Sequence, residues 1–123
     1  MDTEELKRRT KQFGLRVIRL IEALPSARAA SMIGRQLLRS GTSVGAYYRA
    51  ACQASRKPDF ISRIGTAIEA ADESLYWMEM LVEAKLVPAD KLTALTKEAG
   101  EIVTALAAST KPHRARVKPR GRR

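Results

Sequence analysis

The sequence predicts an all-α protein, namely an antiparallel, up-down-up-down four-helix bundle followed by a disordered basic C-terminal tail. Apolar residues recur every three or four positions through four segments, which is the period of a helix that buries one face. Pro25, Pro58 and Pro88 separate the segments, and the connections around them are short. Short connections force neighbouring helices to run in opposite directions. The composition agrees with this fold class, because 45% of the residues are hydrophobic and only 5% are aromatic.

The first two helices are delimited by a capping residue and by proline. Helix one is predicted to start at Asp2 or Thr3, with Thr3 as the N-cap, and to end at Pro25. Its apolar stripe consists of Leu6, Phe13, Val17, Leu20 and Leu24. Helix two is predicted to run from near Ser26 to about Ala54.

Helix three is predicted to begin at Pro58, because proline suits the first turn of a helix. Its core-facing residues are predicted to be Ile61, Ile64, Ile68, Ala71, Leu75, Met78 and Val82. Trp77 and Met80 project away from this stripe, so helix three is apolar on more than one side. A monomer would expose the second side, and the pattern therefore predicts an oligomer. Helix four is predicted to start near Pro88.

The charge pattern divides the chain into two predicted units, a bundle at residues 1–110 and a tail at residues 111–123. The net charge is +10, and the tail holds seven of the 23 basic residues and no acid. A segment with this much charge and almost no apolar surface is expected to be disordered. Either it only keeps the protein soluble, or it binds nucleic acid through Lys111, Arg114, Arg116, Lys118, Arg120, Arg122 and Arg123.

Helices two and three carry opposite charges. Residues 26–57 contain six basic residues and no acid, whereas residues 58–87 contain six acids and two basic residues. In an antiparallel hairpin whose corner is centred on Arg56 and Lys57, residues whose numbers sum to about 113 lie side by side. Arg39 would then face Glu73 in a partly buried ion pair, and Gly45 would face Ile68. A solvated surface pair of little energy is the alternative for Arg39 and Glu73.

Helix two contains three glycines, each of which costs about 1 kcal/mol relative to alanine. Gly34, Gly41 and Gly45 share a face, which indicates that another backbone packs closely there. A neighbouring helix of the same chain and a second subunit are both possible. The residues predicted at a subunit interface are Gly41, Gly45, Tyr47, Tyr48, Tyr76, Trp77 and Met80. The aromatic residues among them could instead stack on RNA bases or pack in the core.

Several segments of helices two and three resemble a known family. RSGTSVGA at residues 39–46 is followed by Tyr48-Arg49, by EAADE at residues 69–73 and by YWME at residues 76–79. Together with DFI at residues 59–61, they resemble the four-helix bundle proteins of the 23S rRNA intervening-sequence type. The resemblance implies a ring-like homopentamer. It also implies kinship with the accessory variability proteins of diversity-generating retroelements, which contact a reverse transcriptase and nucleic acid.

Two positions depart from the pattern of that family. Tyr47 and Ala50 stand where the family usually has Asn and Glu. The absence of the acid at position 50 leaves helix two wholly basic, and an exposed positive face is therefore expected.

The residue types that catalysis or metal binding would need are not grouped in the sequence. The only histidine, His113, lies in the predicted tail, where it cannot hold a fixed geometry. Cysteine and histidine do not occur at zinc-site spacing, and no Walker or dinucleotide motif is found. No enzyme activity, metal or cofactor is expected. The single cysteine, Cys52, and the lack of an apolar leader or membrane-spanning run predict a cytoplasmic protein.

These observations lead to two functional hypotheses. The first is a non-enzymatic homo-oligomer, pentameric as the resemblance implies, that binds RNA in preference to DNA. Arg49, Arg56, Lys57 and the tail would contact phosphates, and such binding falls steeply with added salt. The second is a protein-interaction scaffold, such as an accessory subunit of a reverse transcriptase in a diversity-generating retroelement.

Overall fold

A computed structural model of the chain describes residues 1–110 and confirms the all-α fold class. The helices are α1 (Thr3–Glu22), α2 (Arg28–Cys52), α3 (Lys57–Glu83) and α4 (Thr93–Ala108), and a short 3₁₀ helix at Ala89–Lys91 precedes α4. The predicted disordered tail at residues 111–123 lies outside the described residues.

The helix ends follow from local chemistry. Asp2 is the N-cap of α1, since its Oδ1 atom accepts a hydrogen bond of 2.8 Å from the backbone N–H of Glu5. The prediction of Thr3 as the N-cap was wrong by one residue. Pro58 occupies the first turn of α3, where a missing N–H costs no helical hydrogen bond.

Contacts between α1 and α2 show that the two helices are antiparallel. A Cβ atom added to Gly34 would meet Leu24, one added to Gly41 would meet Val17, and one added to Gly45 would meet Thr10. Along these contacts the residue numbers of α1 fall as those of α2 rise, as in two antiparallel helices. In addition, α2 packs on α3, α3 on α4, and α4 on α1, which closes the bundle.

The glycines of α2 are covered by α1 of the same chain. A Cβ atom on Gly41 would lie only 2.8 Å from Cγ2 of Val17, and one on Gly45 would lie 3.3 Å from the carbonyl carbon of Thr10. Gly41 is buried, so its placement at a subunit interface was wrong; Gly45 is half-buried and faces α1 rather than Ile68, and its place at an interface stays a prediction. Close packing within the chain accounts for both glycines.

Small residues also allow α2 and α3 to approach closely. The hydroxyl groups of Ser40 and Ser74 lie 2.9 Å apart, and both side chains are buried. Their numbers sum to 114, close to the predicted register. The α3 residues that are buried along its length are Ile64, Ala67, Ala70, Ala71, Ser74, Met78 and Leu81.

The predicted ion pair between Arg39 and Glu73 is not formed. Both side chains are exposed and line one small cleft between α2 and α3, but the ion pairs within residues 1–110 do not include them. The Glu73 carboxylate instead accepts a hydrogen bond of 3.0 Å from the indole N–H of Trp77. Because Ser40 and Ser74 occupy the contact line between the helices, the longer side chains beside them extend toward solvent.

All four helices contribute to one core, which includes the fully buried Phe13, Leu37, Ile64 and Ile102. Tyr48 belongs to this core with 3% of its surface exposed, so its placement at a subunit interface was wrong. Burial raises the pKa of Tyr48 to about 12, with a further contribution from Cys52.

The second apolar side of α3 is partly covered by its own chain. Trp77 is half-buried and packs against the core, and Met80 is half-buried as well. Because α3 contacts both α2 and α4, these two helices cover part of its broad apolar surface. Less of that surface is left for a second subunit to cover than the sequence pattern predicts. Tyr47 and Tyr76 remain exposed, at 41% and 52%.

Replacing Gly41 with alanine is expected to destabilise the protein by about 1–2 kcal/mol, because overpacking outweighs the gain in helix propensity. The added methyl group would press on Val17, which is fully buried and branched. Urea denaturation followed by circular dichroism measures the change.

Gly65→Ala in α3 is the matched control. A Cβ atom there meets no heavy atom within 4 Å. This substitution is expected to stabilise the protein by about 0.5–1 kcal/mol through helix propensity alone. If both substitutions stabilised the protein, α1 would not press on α2 at Gly41.

Candidate nucleic-acid interface

The two halves of the bundle carry opposite net charge. Residues 1–56, which form α1, α2 and their loop, contain 11 basic and four acidic residues. Residues 57–110, which form α3 and α4, contain five basic and nine acidic residues. A polyanion is therefore attracted to the α1–α2 side and repelled by the other.

Three of the predicted phosphate-binding residues lie together at one end of the bundle. The antiparallel arrangement places the start of α1, the end of α2, the start of α3 and the end of α4 together. Arg49, Arg56 and Lys57 lie at this end, and all three are exposed. Residue 110, from which the chain continues into the basic segment, lies at the same end. The predicted tail residues themselves lie outside the described part of the chain.

The first half of α1 places two more cations at this end of the bundle, and neither was predicted from the sequence as a binding residue. Lys7 and Lys11 line a groove together with Arg49 on α2. The antiparallel register explains this, because Lys11 follows Thr10, which contacts Gly45 one turn before Arg49. We call Lys7, Lys11, Arg49, Arg56 and Lys57 the basic end.

Acidic residues also lie at this end, but two of them are engaged locally. Asp2 caps α1, and Glu4 lies 3.6 Å from Lys7 in an exposed i,i+3 pair. Such surface pairs contribute at most about 1 kcal/mol and are weakened by salt. They leave Lys11 and Arg49 without an ion pair within 4 Å among residues 1–110.

Arg63 has a structural contact at the basic end. Its guanidinium donates a hydrogen bond of 2.7 Å to the backbone carbonyl of Ala50. Ala50 is in the last turn of α2, and its carbonyl also accepts a hydrogen bond of 3.2 Å from the backbone N–H of Gln53, which caps the helix. The contact fixes the corner between α2 and α3, and thus the position of Arg56 and Lys57.

Arg9 joins the first helix to the last. Its Nε atom donates to Glu98 at 2.9 Å, a second nitrogen donates to the other oxygen of Glu98, and that nitrogen lies 2.7 Å from Glu101. Hydrogen bonds to Glu98 and Glu101 raise the pKa of Arg9, and the bond to Arg9 lowers the pKa of Glu101. Arg9 is thereby neutralised and is unsuited to phosphate binding.

The comparisons with known proteins agree with this fold. The sequence profile of the family described as 23S rRNA-intervening sequence protein matches residues 3–108. The chain belongs to this family. The match covers residues 3–108 and does not include the basic segment at residues 111–123.

The structure of a related protein has the same fold. The crystal structure of a protein of unknown function from the S23 ribosomal protein family of Bacteroides thetaiotaomicron superimposes with a TM-score of 0.81 and is 30% identical. The similarity covers 86% of this chain and 98% of that one. No curated protein matches the sequence. Within residues 1–110, no helix is long and apolar enough to cross a membrane.

Arg9→Met is expected to destabilise the protein by about 1–2 kcal/mol at pH 7, because it removes a bidentate, partly buried ion pair. The lowered pKa of Glu101 means that its contribution is present above the unfolded-state pKa of about 4.5 and is lost as the pH falls through the folded-state value. The destabilisation caused by Arg9→Met should therefore become smaller below about pH 4. Urea midpoints at pH 7 and pH 3 measure it.

Arg8→Met is the control, since Arg8 is exposed and forms no ion pair within residues 1–110. Its effect should stay within about 0.5 kcal/mol at both pH values. An Arg9→Met effect that did not change with pH would show that packing of the arginine stem, and not the carboxylates, stabilises the contact.

Proposed function

We propose that this protein is a non-enzymatic, homo-oligomeric helical bundle that binds RNA through the basic end and through residues 111–123. The observation that carries the proposal is that Arg49, Arg56 and Lys57 lie at the end of the bundle where the basic segment begins. The cations of the folded surface and those of the sequence that follows residue 110 would then contact phosphates of the same RNA molecule. The family description, which refers to 23S rRNA, favours RNA over DNA as the ligand.

The attraction is electrostatic and does not require a specific sequence. Each phosphate contact releases condensed counterions from the nucleic acid, which drives binding at low salt. The segment at residues 111–123 contributes seven cations per chain. In a homo-oligomer, several such segments would act on one RNA molecule, and linked weak contacts raise the overall affinity.

Assembly, into a pentamer in this proposal, would use the apolar residues that the bundle leaves accessible. Tyr47 and Tyr76 are the most exposed of the residues predicted at the interface, and Trp77 and Met80 are half-buried. The rings of Tyr76 and Trp77 pack edge to face with centroids 4.9 Å apart. A rigid aromatic pair of this kind is suited to a protein interface.

A second function is favoured by the acidic half of the bundle. A groove of about 420 Å³ between α3 and α4 has apolar walls that include Met78, Val82 and Leu92. Its charged lining residues are two acids and one base, namely Glu79, Glu83 and Lys97. It would suit a basic segment of a protein partner, such as the reverse transcriptase of a diversity-generating retroelement. If this is the function, a partner captured by the full chain should remain bound after nuclease treatment, whereas release by nuclease would support the RNA-binding function.

Deletion of residues 111–123 is expected to weaken binding to a single-stranded RNA by about tenfold or more at low salt, since it removes seven cations. The dependence of log K on log salt should become shallower by about 0.7 for each lost phosphate contact. Fluorescence anisotropy across a salt titration measures both quantities.

Two versions of the full chain serve as controls. One carries a glycine-serine segment of equal length and should behave like the deletion. The other carries residues 111–123 in scrambled order and should bind like the parent chain, because counterion release does not read the order of cations. Binding that is unaffected by the deletion and insensitive to salt would contradict the proposal.

A further inference from the structure

A groove of about 250 Å³ runs between the middle of α1, at residues 7–18, and the second half of α2, at residues 42–49. Gly14 and Gly45 lie at its floor. A Cβ atom on Gly14 would lie 3.4 Å from Cα of Thr42, and one on Gly45 would lie 3.4 Å from the backbone nitrogen of Lys11. The backbones of α1 and α2 therefore meet at the floor, where Gly14 is buried and Gly45 is half-buried, and the side chains of both helices form the walls of the groove above them.

The charged residues that line the groove are all cations. They are Lys7, Lys11 and Arg49. Three like charges around one groove repel each other, and an anion placed among them relieves that repulsion. Glu4 offsets only Lys7, and its side chain is 86% exposed outside the groove. The cationic part of the groove therefore favours an occupant that carries negative charge.

The other part of the groove is apolar and open to solvent. Leu15 and Ile18 are 38% and 39% exposed, although both are large aliphatic residues. They lie one and two turns beyond Lys11 on the same side of α1. An occupant that is negative at one end and flat and apolar at the other would satisfy both parts of the groove. A nucleotide has this arrangement, since its phosphate and its base lie on opposite sides of the sugar.

We propose that the groove between α1 and α2 binds one nucleotide of a single-stranded RNA, with the phosphate on Lys7, Lys11 and Arg49 and the base against Leu15 and Ile18. This inference rests on the proposed RNA-binding function and gives it a specific site. Arg49, at one end of the groove, lies at the same end of the bundle as Arg56 and Lys57, so the strand would continue toward those two residues. A single strand is required, because the base of a paired nucleotide is not free to leave its stack.

The test uses the full chain and a double substitution, Lys11→Gln with Arg49→Gln. Affinity for a 20-nucleotide single-stranded RNA should fall by about tenfold, and the salt slope should decrease by about 1.4 for two lost contacts. The matched control is Arg19→Gln with Arg35→Gln, which removes one exposed cation from each of the same helices outside the groove. The control should lower the affinity by less than about threefold, through net charge alone.

The apolar part is tested separately by Leu15→Ala with Ile18→Ala, which leaves the charge unchanged. Affinity at high salt should fall, because contacts with the base do not depend on counterion release. Amide chemical shifts of Gly14 and Gly45 should move on addition of RNA, and those shifts should be lost in the Lys11/Arg49 variant.

The outcomes separate this proposal from the function on which it rests. If the parent chain does not bind RNA, the RNA-binding function fails and the groove assignment fails with it. If the parent chain binds RNA but both cation pairs weaken binding equally, or if Leu15→Ala with Ile18→Ala leaves the affinity at high salt unchanged, the function stands and the groove assignment is wrong. If polyglutamate binds as tightly as RNA and moves the same glycine shifts, the groove accepts an acidic protein segment and the nucleotide assignment is wrong.

Discussion

The close approach of α2 to both of its neighbours determines most of what this bundle presents to solvent. Gly41 allows Val17 of α1 to touch the α2 backbone, and Ser40 meets Ser74 of α3 across a hydrogen bond of 2.9 Å. Neither contact line has space for a long side chain. The arginines of α2 therefore lie along the rims of the two seams. The basic surface follows directly from the small residues that hold the helices together.

Much of this architecture could be predicted from the sequence, because its determinants are local. The apolar period and the prolines located four helices. A corner centred on Arg56 and Lys57 gave a register between helices two and three that differs by one from the contact between Ser40 and Ser74. The same reasoning misplaced the ion pair of Arg39 and Glu73. A register locates pairs of positions along two helices, but the rotation of each helix decides which of two adjacent residues lies at the contact. Here Ser40 and Ser74 lie at the contact, and Arg39 and Glu73 lie beside them.

Features that join distant parts of the chain were not predictable in this way. Arg9 and Glu98 are separated by 89 residues, and nothing near either of them in the sequence indicates the partner. Glu98 and Glu101 are nevertheless the only acids of α4, so a single cation on the facing side of α1 could have been sought. The contribution of Lys7 and Lys11 to the basic end could not be predicted for a related reason. Their position on the rim of a groove depends on which face of α1 meets α2, and this requires the packed structure.

An even number of antiparallel helices also has a practical consequence. Residue 1 and residue 110 come to the same end of the bundle, next to Arg56 and Lys57. A purification tag or fluorophore joined to the N-terminus would therefore stand over the cations whose binding it was meant to report. The turns at residues 23–27 and 84–92 lie at the far end, about 30 Å away along helices of this length. A dye or surface linkage placed in either turn would leave the cationic end free in solution.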